Sequence, residues 1–200
     1  MSLLTLALLS ASPALAAETY TIDAKASSVR AMIDLNDTAL SKTTGHFQHA
    51  LGLALMEGTL TLEGDVVTAV QMDGTVASLE TSTDIRKAAG LEGAIADGNV
   101  TALMDCVFKQ LQPEVDNHIR FEGKSFEGPL DDLKVTGEFS LHGVTKTMTV
   151  PMKLVREGEG MKATGTLALQ VPDYGFRIPG SGWSVKDDAK AVLDLTFTKK

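Results

Sequence analysis

Four histidines are the first candidates for metal chemistry, because imidazole nitrogens are common metal ligands. His46 and His49 lie three residues apart in a stretch that reads as extended. Residues at that spacing on a strand point to opposite faces, so these two cannot chelate one ion together. The sequence has no HExxH, paired CxxC or acidic calcium loop, and His118 and His142 fall in strand and turn patterns. It therefore predicts structural or surface histidines, with no metal site and no cofactor.

Residues suited to nucleophilic or acid–base catalysis are not arranged for it. Residues 180–184, Gly-Ser-Gly-Trp-Ser, lack the spacing of the GxSxG nucleophile elbow. Asp131-Asp132 and Asp187-Asp188 are adjacent pairs whose side chains would diverge on a strand, so neither pair would share a proton. Cys106, the only cysteine, falls in a helical pattern typical of a buried small side chain. We therefore predict that the chain is not an enzyme.

The composition excludes further classes of protein. The 200 residues suffice for one domain with a continuous core, and a hydrophobic content of 44% is ordinary for a globular protein. The formal net charge is −8 and no cluster of lysine or arginine stands out, so we do not expect a nucleic-acid partner. After the N-terminal segment, no apolar run is long enough to span a bilayer.

The N-terminal segment has features of an export signal. A short apolar run at residues 3–9 is followed by Pro13 and by a small-x-small cleavage pattern at residues 14–16, although no lysine or arginine precedes the run. An apolar strand or helix is the alternative interpretation. We expect a signal peptide over residues 1–17, cleaved near Ala16 or Ala17, one domain over residues 18–200, and a periplasmic location.

The elements that would position a site are mostly short alternating strands separated by Gly, Asp and Asn turns. The clearest is a hairpin that ends at residue 154 and has a polar connection at residues 142–146. Successive strand residues point to opposite faces, so this hairpin has one apolar side. Its members are Val135, Gly137, Phe139, Leu141, Met148, Val150, Met152 and Leu154. Such alternation along the chain predicts an all-β sandwich or barrel.

Two segments in the middle of the chain break this alternation. Asn99 can cap a helix that Pro113 stops. The apolar residues of this helix recur at helical spacing, at Val100, Leu103, Val107 and Leu111. A shorter helical turn is predicted from near Asp84 to Gly90. We therefore expect one or two helices inserted mid-chain.

Small residues on the apolar strand faces bear on whether a barrel would be hollow. They are Gly74, Gly123, Gly137, Ala163 and Gly165. Small inward residues leave volume, as in barrels that hold one ligand. Glycines also mark bends or bulges in curved strands, and both readings stay open.

Five short segments resemble the YceI-like family of bacterial, mostly exported, lipocalin-like proteins. In chain order they are residues 20–23 (YTID), 45–47 (GHF), 78–81 (SLET), 137–146 (GEFSLHGVTK) and 173–175 (DYG). The resemblance implies an all-β fold, an extended antiparallel lipocalin-like β-barrel of about eight strands around a long apolar channel. Family members of known activity bind polyisoprenoid or other long-chain lipid-like molecules, and no catalytic residues are established for the family.

The resemblance implies a periplasmic carrier that holds a long-chain isoprenoid or other lipid-like ligand inside the barrel. The alternatives are a non-catalytic protein-interaction module on a filled barrel and, less expected, an uncharacterised enzyme. We expect the channel wall to include Leu53, Val70, Met72, Phe121, Phe139, Met148, Val150, Met152, Leu167, Leu169 and Phe176. Tyr174 and Trp183 are expected at its mouth. Core packing without ligand contact is an equal alternative for each wall residue, and a homodimer is an open alternative for the assembly.

Overall fold

The structure, a computed structural model, describes residues 16–35, 48–175 and 185–200. Within these ranges the chain forms eleven strands, with two helices between the sixth and the seventh. The strands are β1 (Ala17–Ile22), β2 (Ser28–Leu35), β3 (Gln48–Leu53), β4 (Met56–Glu63), β5 (Val66–Thr75), β6 (Leu79–Glu80), β7 (His118–Glu127), β8 (Leu133–Leu141), β9 (Val144–Glu157), β10 (Gly160–Gln170) and β11 (Val185–Lys199). The helices are α1 (Thr83–Ala88) and α2 (Asp97–Leu111).

The strands close into one antiparallel barrel. The ring runs β1–β4–β5–β7–β8–β9–β10–β11, and β1 pairs back onto β11. β2, β3 and β6 extend this ring, because β2 continues along β11, β3 pairs with β2, and β6 pairs with β3. The prediction of an all-β barrel of eight strands with mid-chain helices is confirmed.

The hairpin of β8 and β9 has the predicted alternation but a tighter turn. Leu141 pairs with Val144, so only His142 and Gly143 form the turn, with φ values of 53° and 71°. Two central residues with positive φ are the mark of a type I′ turn, whose twist matches that of the strands. The predicted connection at residues 142–146 is therefore too long, since β9 has begun at Val144.

One end of the barrel is packed solid. Tyr20, Leu60, Leu62 and Met161 are each at most 2% exposed and belong to one apolar cluster. Arg156 pairs with Met161 across β9 and β10, so both side chains lie on the inner face of the sheet. Its guanidinium donates to the Tyr20 hydroxyl at 3.1 Å and to the Gly64 carbonyl oxygen at 2.6 Å, which covers this end of the barrel.

Charged groups surround the covered end. Arg156 forms ion pairs at 3.2 Å with Glu18 of β1 and with Asp65 of the turn between β4 and β5. The Glu18 carboxylate accepts hydrogen bonds from Lys199, Tyr20 and Arg156. These bonds lower the pKa of Glu18 from 4.5 to about 2. The network thereby joins β1, β9 and β11 where the barrel closes.

Helix α2 covers part of the barrel away from this end. Leu103 is 2% exposed and packs with Leu51 of β3 and with Ile95. The predicted apolar face is confirmed, but the helix begins at Asp97 rather than after Asn99, with no side-chain cap. The burial of Ile95 and Leu103 against the barrel outweighs the capping preference of Asn99, which is worth about 1 kcal/mol.

Candidate functional site

The barrel contains a partly open cavity of about 260 Å³ that extends from the packed end toward α2. Its wall consists of inward-facing residues of the strands together with the apolar face of α2. Several wall residues, among them Val70, Met72 and Phe121, keep accessible surface although they point inward. Accessible surface on an inner face means that the barrel is not filled by its own side chains there. A cavity with such a lining excludes water and favours apolar ligands.

Most of the predicted channel residues lie in this wall. They are Leu53, Val70, Met72, Phe121, Phe139, Val150, Met152, Leu167 and Leu169. Met148 and Tyr174 do not reach the wall and pack instead in an apolar cluster with Phe139 at the end of the barrel that carries the β8–β9 turn. Phe176 and Trp183 lie outside the described residues.

Sequence reasoning missed the contribution of α2 and β11 to the cavity. Leu103, Cys106, Val107 and Leu111 of α2 line it, as do Ala191, Leu193 and Leu195 of β11. The helical spacing of the α2 residues was visible, but an apolar helix face can pack on the outside of a barrel as well as across its opening. Cys106 is only partly buried, because it faces this cavity.

The inward glycines make room for neighbouring side chains rather than for the cavity. A Cβ atom at Gly74 would lie 2.5 Å from Leu53 Cδ2, and one at Gly137 would lie 2.8 Å from Phe121 Cζ. The side chain of Met152 similarly occupies the space over Gly165. At Gly123 the alternative interpretation applies, that a glycine marks a β-bulge, because the register between β7 and β8 shifts there.

The turn of the β8–β9 hairpin connects three parts of the chain. The Gly143 N–H donates to the Asp116 carboxylate at 2.7 Å, which ties it to the loop after α2. His142 Nδ1 lies 3.0 Å from the carbonyl oxygen of Tyr174, in the one-turn 3-10 segment Val171–Tyr174 that follows β10. The turn therefore holds the ends of α2 and β10 together.

Among the residues that the structure describes, polar groups with displaced pKa values do not converge on the cavity. Glu18 belongs to the network at the packed end, and Asp73 hydrogen-bonds Arg120 and His118 on the outer face. Within residues 16–35, 48–175 and 185–200, no three His, Cys, Asp or Glu side chains lie close enough to hold a metal ion. His49 is 1% exposed, whereas His46 lies outside the described residues.

No helix in the described part of the chain is long and apolar enough to cross a membrane.

An eight-stranded antiparallel barrel with an apolar cavity belongs to the class of lipocalin-like barrels. The family model of the YceI-like domain matches residues 20–197, so the chain belongs to the YceI-like family. The crystal structure of BcnA from Burkholderia cenocepacia is similar over 88% of this chain and 98% of its own, with 16% identity and a TM-score of 0.66.

The YceI protein of Campylobacter jejuni is similar over 75% of this chain and 84% of its own, with 11% identity and a TM-score of 0.57. At these identities the two structures show a shared fold. A comparison with curated proteins finds no match.

Proposed function

We propose that this protein is a periplasmic carrier that holds a long apolar ligand, an isoprenoid or another lipid-like chain, inside its barrel. The observation that carries the proposal is the cavity of about 260 Å³ inside the barrel with its predominantly apolar wall. Each methylene group removed from water contributes about 0.8 kcal/mol, so a long chain can bind there without polar contacts.

The wall residues would act as an adaptable lining. Met72 and Met152 have flexible thioether side chains that can follow a chain of varying shape, and Phe121 and Phe139 supply large apolar surfaces. Tyr174, which packs against Phe139 outside the cavity wall, would lie at the mouth of the channel. The apolar run and small-residue pattern of residues 3–16 support export to the periplasm.

Native mass spectrometry of protein purified from its own host tests the proposal, combined with solvent extraction of the same sample. We expect a bound mass that extraction identifies as a prenyl chain or fatty acid. A ligand-free protein that takes up neither farnesol nor oleic acid at micromolar concentration would refute it. In the interaction-module alternative, the central helix or residues 176–183 meet a protein partner. It expects no internal cavity and an exposed apolar patch over residues 176–183, which lie outside the described residues.

A further inference from the structure

The ladder between β9 and β10 ends before the strands do. It runs from the pair Gly160–Glu157 to the pair Gly165–Met152. Residues 144–151 of β9 remain paired with β8, and residues 166–170 of β10 remain paired with β11, yet no ladder pair joins these two described stretches. We call the opening between them the β9–β10 gap.

Pro151 explains why the ladder stops there. In a two-residue hairpin the residues flanking the turn form a hydrogen-bonded pair, and every second residue then bonds the same neighbour. If this alternation starts at the pair Leu141–Val144, Pro151 is a position that does not hydrogen-bond to β8. Its backbone nitrogen and carbonyl oxygen therefore face β10. If the alternation on the other side starts at the pair Gly160–Glu157, Pro151 would lie opposite Thr166 in a hydrogen-bonded pair. Proline has no N–H to donate, so this pair would lack one of its two hydrogen bonds.

The 3-10 segment Val171–Tyr174 closes the gap with side-chain contacts. Tyr174 is 2% exposed, and its ring meets the ring of Phe139 edge-on, with centroids 5.7 Å apart. Asp173 lies 3.8 Å from Lys146, which is on the inner face of β9 because it pairs with Phe139. The segment thus covers the inner face of β9 where that strand has left β10.

The gap leads directly to the cavity. Val150 on one side of it and Leu167 and Leu169 on the other all belong to the cavity wall. The stretch of β10 without a partner on the β9 side, residues 166–170, is about 16 Å long at roughly 3.3 Å per residue, so the gap extends along the strand. Opening it requires separating side chains and breaking the hydrogen bond between His142 and the Tyr174 carbonyl oxygen, whereas opening any paired seam requires breaking a backbone ladder.

We propose that the β9–β10 gap is the route by which a long apolar ligand reaches the cavity, and that Tyr174 is its gate. This inference rests on the proposed carrier function. Val150, Leu167 and Leu169 give this gap an apolar inner border next to the cavity, along which a linear chain can pass. The opposite end is filled by Tyr20 and its neighbours and covered by Arg156.

Thiol labelling tests the route without any ligand. A Leu167→Cys reporter in a Cys106→Ala background is reacted with N-ethylmaleimide. We expect Tyr174→Ala to accelerate labelling at least tenfold. Tyr20→Ala is the matched control, since Tyr20 is an equally buried tyrosine at the packed end, and it should leave the rate unchanged. Equal rates with and without Tyr174, or equal acceleration by both variants, would overturn the proposal.

Pro151→Thr is a second test variant, and it tests the route without removing a buried side chain. It restores an N–H toward Thr166 at an exposed position, so we expect the ladder to extend and labelling to slow several-fold. If Tyr174→Ala does not fold, this variant decides: labelling at the same rate or faster than in the reporter protein argues against the gap.

Stopped-flow binding of cis-parinaric acid connects the route to the cargo. A gate changes the association and dissociation rate constants by the same factor and leaves Kd unchanged, whereas a wall residue changes mainly dissociation. We expect Tyr174→Ala to raise both constants together. Lack of uptake by the wild type with the expected labelling pattern would refute the carrier function alone, and normal uptake with unaltered rate constants in Tyr174→Ala would refute the gate alone.

Discussion

The Nδ1 atom of His142 lies 3.0 Å from the carbonyl oxygen of Tyr174, 32 positions along the chain. A carbonyl oxygen only accepts hydrogen bonds, so Nδ1 carries the proton in this contact. The contact joins the β8–β9 turn to the segment that closes the β9–β10 gap. It gives the histidine of the HGVTK motif a structural role.

Replacing this histidine should loosen the closing segment. Asparagine tolerates the positive φ of a type I′ turn, so His142→Asn retains the backbone while removing the imidazole. We expect a loss of about 1 kcal/mol in the free energy of unfolding and faster amide exchange at residues 173–175. Lys146→Gln, which removes only an exposed ion pair, should cost a few tenths of a kcal/mol. Equal effects of the two variants on stability and exchange would contradict this role.

Filling the cavity should abolish uptake of an apolar ligand. Met72→Trp places a larger side chain in the cavity wall, whereas Thr68→Trp adds the same side chain at an exposed position of the same strand that does not line the cavity. We expect binding of cis-parinaric acid to weaken at least tenfold in Met72→Trp and to stay within twofold in Thr68→Trp. Fluorescence titration measures both, and unaltered binding in Met72→Trp would show that the probe binds elsewhere.

The network around Glu18 should make stability depend on pH in acid. The pKa of Glu18 is lowered to about 2, so its contribution is complete above about 4.5 and is lost as the pH falls toward 2. The melting temperature of Glu18→Gln should therefore lie below that of the wild type at pH 6, and the two should converge near pH 2. Thermal unfolding from pH 6 to pH 2 measures this, and a constant difference would contradict it.

A methyl group at Gly137 should destabilise the sheet. The added Cβ would collide with the backbone carbonyl oxygen of Glu122 and lie 2.8 Å from Phe121 Cζ. We expect Gly137→Ala to cost about 1–3 kcal/mol. Gly98→Ala is the matched control, since nothing lies within 4 Å of its Cβ position in α2, and it should be neutral or stabilise by up to about 1 kcal/mol. Urea unfolding separates the two, and equal midpoints would refute the collision.

The fold class and most of the cavity wall could be predicted because they depend on local alternation. Phe139 and Val150 point inward since side chains on a strand alternate between faces whatever the neighbouring strand is. The position of α2 could not be predicted in the same way. Its spacing defines an apolar face, but only contacts with Leu51 and other distant residues place that face against the barrel.

Barrel closure and the ends of the ladders also depend on distant partners. Tyr20 pairs with Lys199 across nearly the whole chain, and no local pattern specifies that pairing. Arg156 continues the apolar face of residues 148–154 by alternation, but only the tertiary structure brings Tyr20 and the carbonyl oxygen of Gly64 to its guanidinium.

Met148 and Met152 show the division most clearly. The sequence by itself determined that both lie on the same face of one strand, because residues four apart on a strand share a face. The tertiary structure alone decided that Met152 lines the cavity while Met148 packs near Tyr174. The physical reason lies between them: Pro151 has no N–H for β10, so β9 pairs with β10 only from Met152 onward.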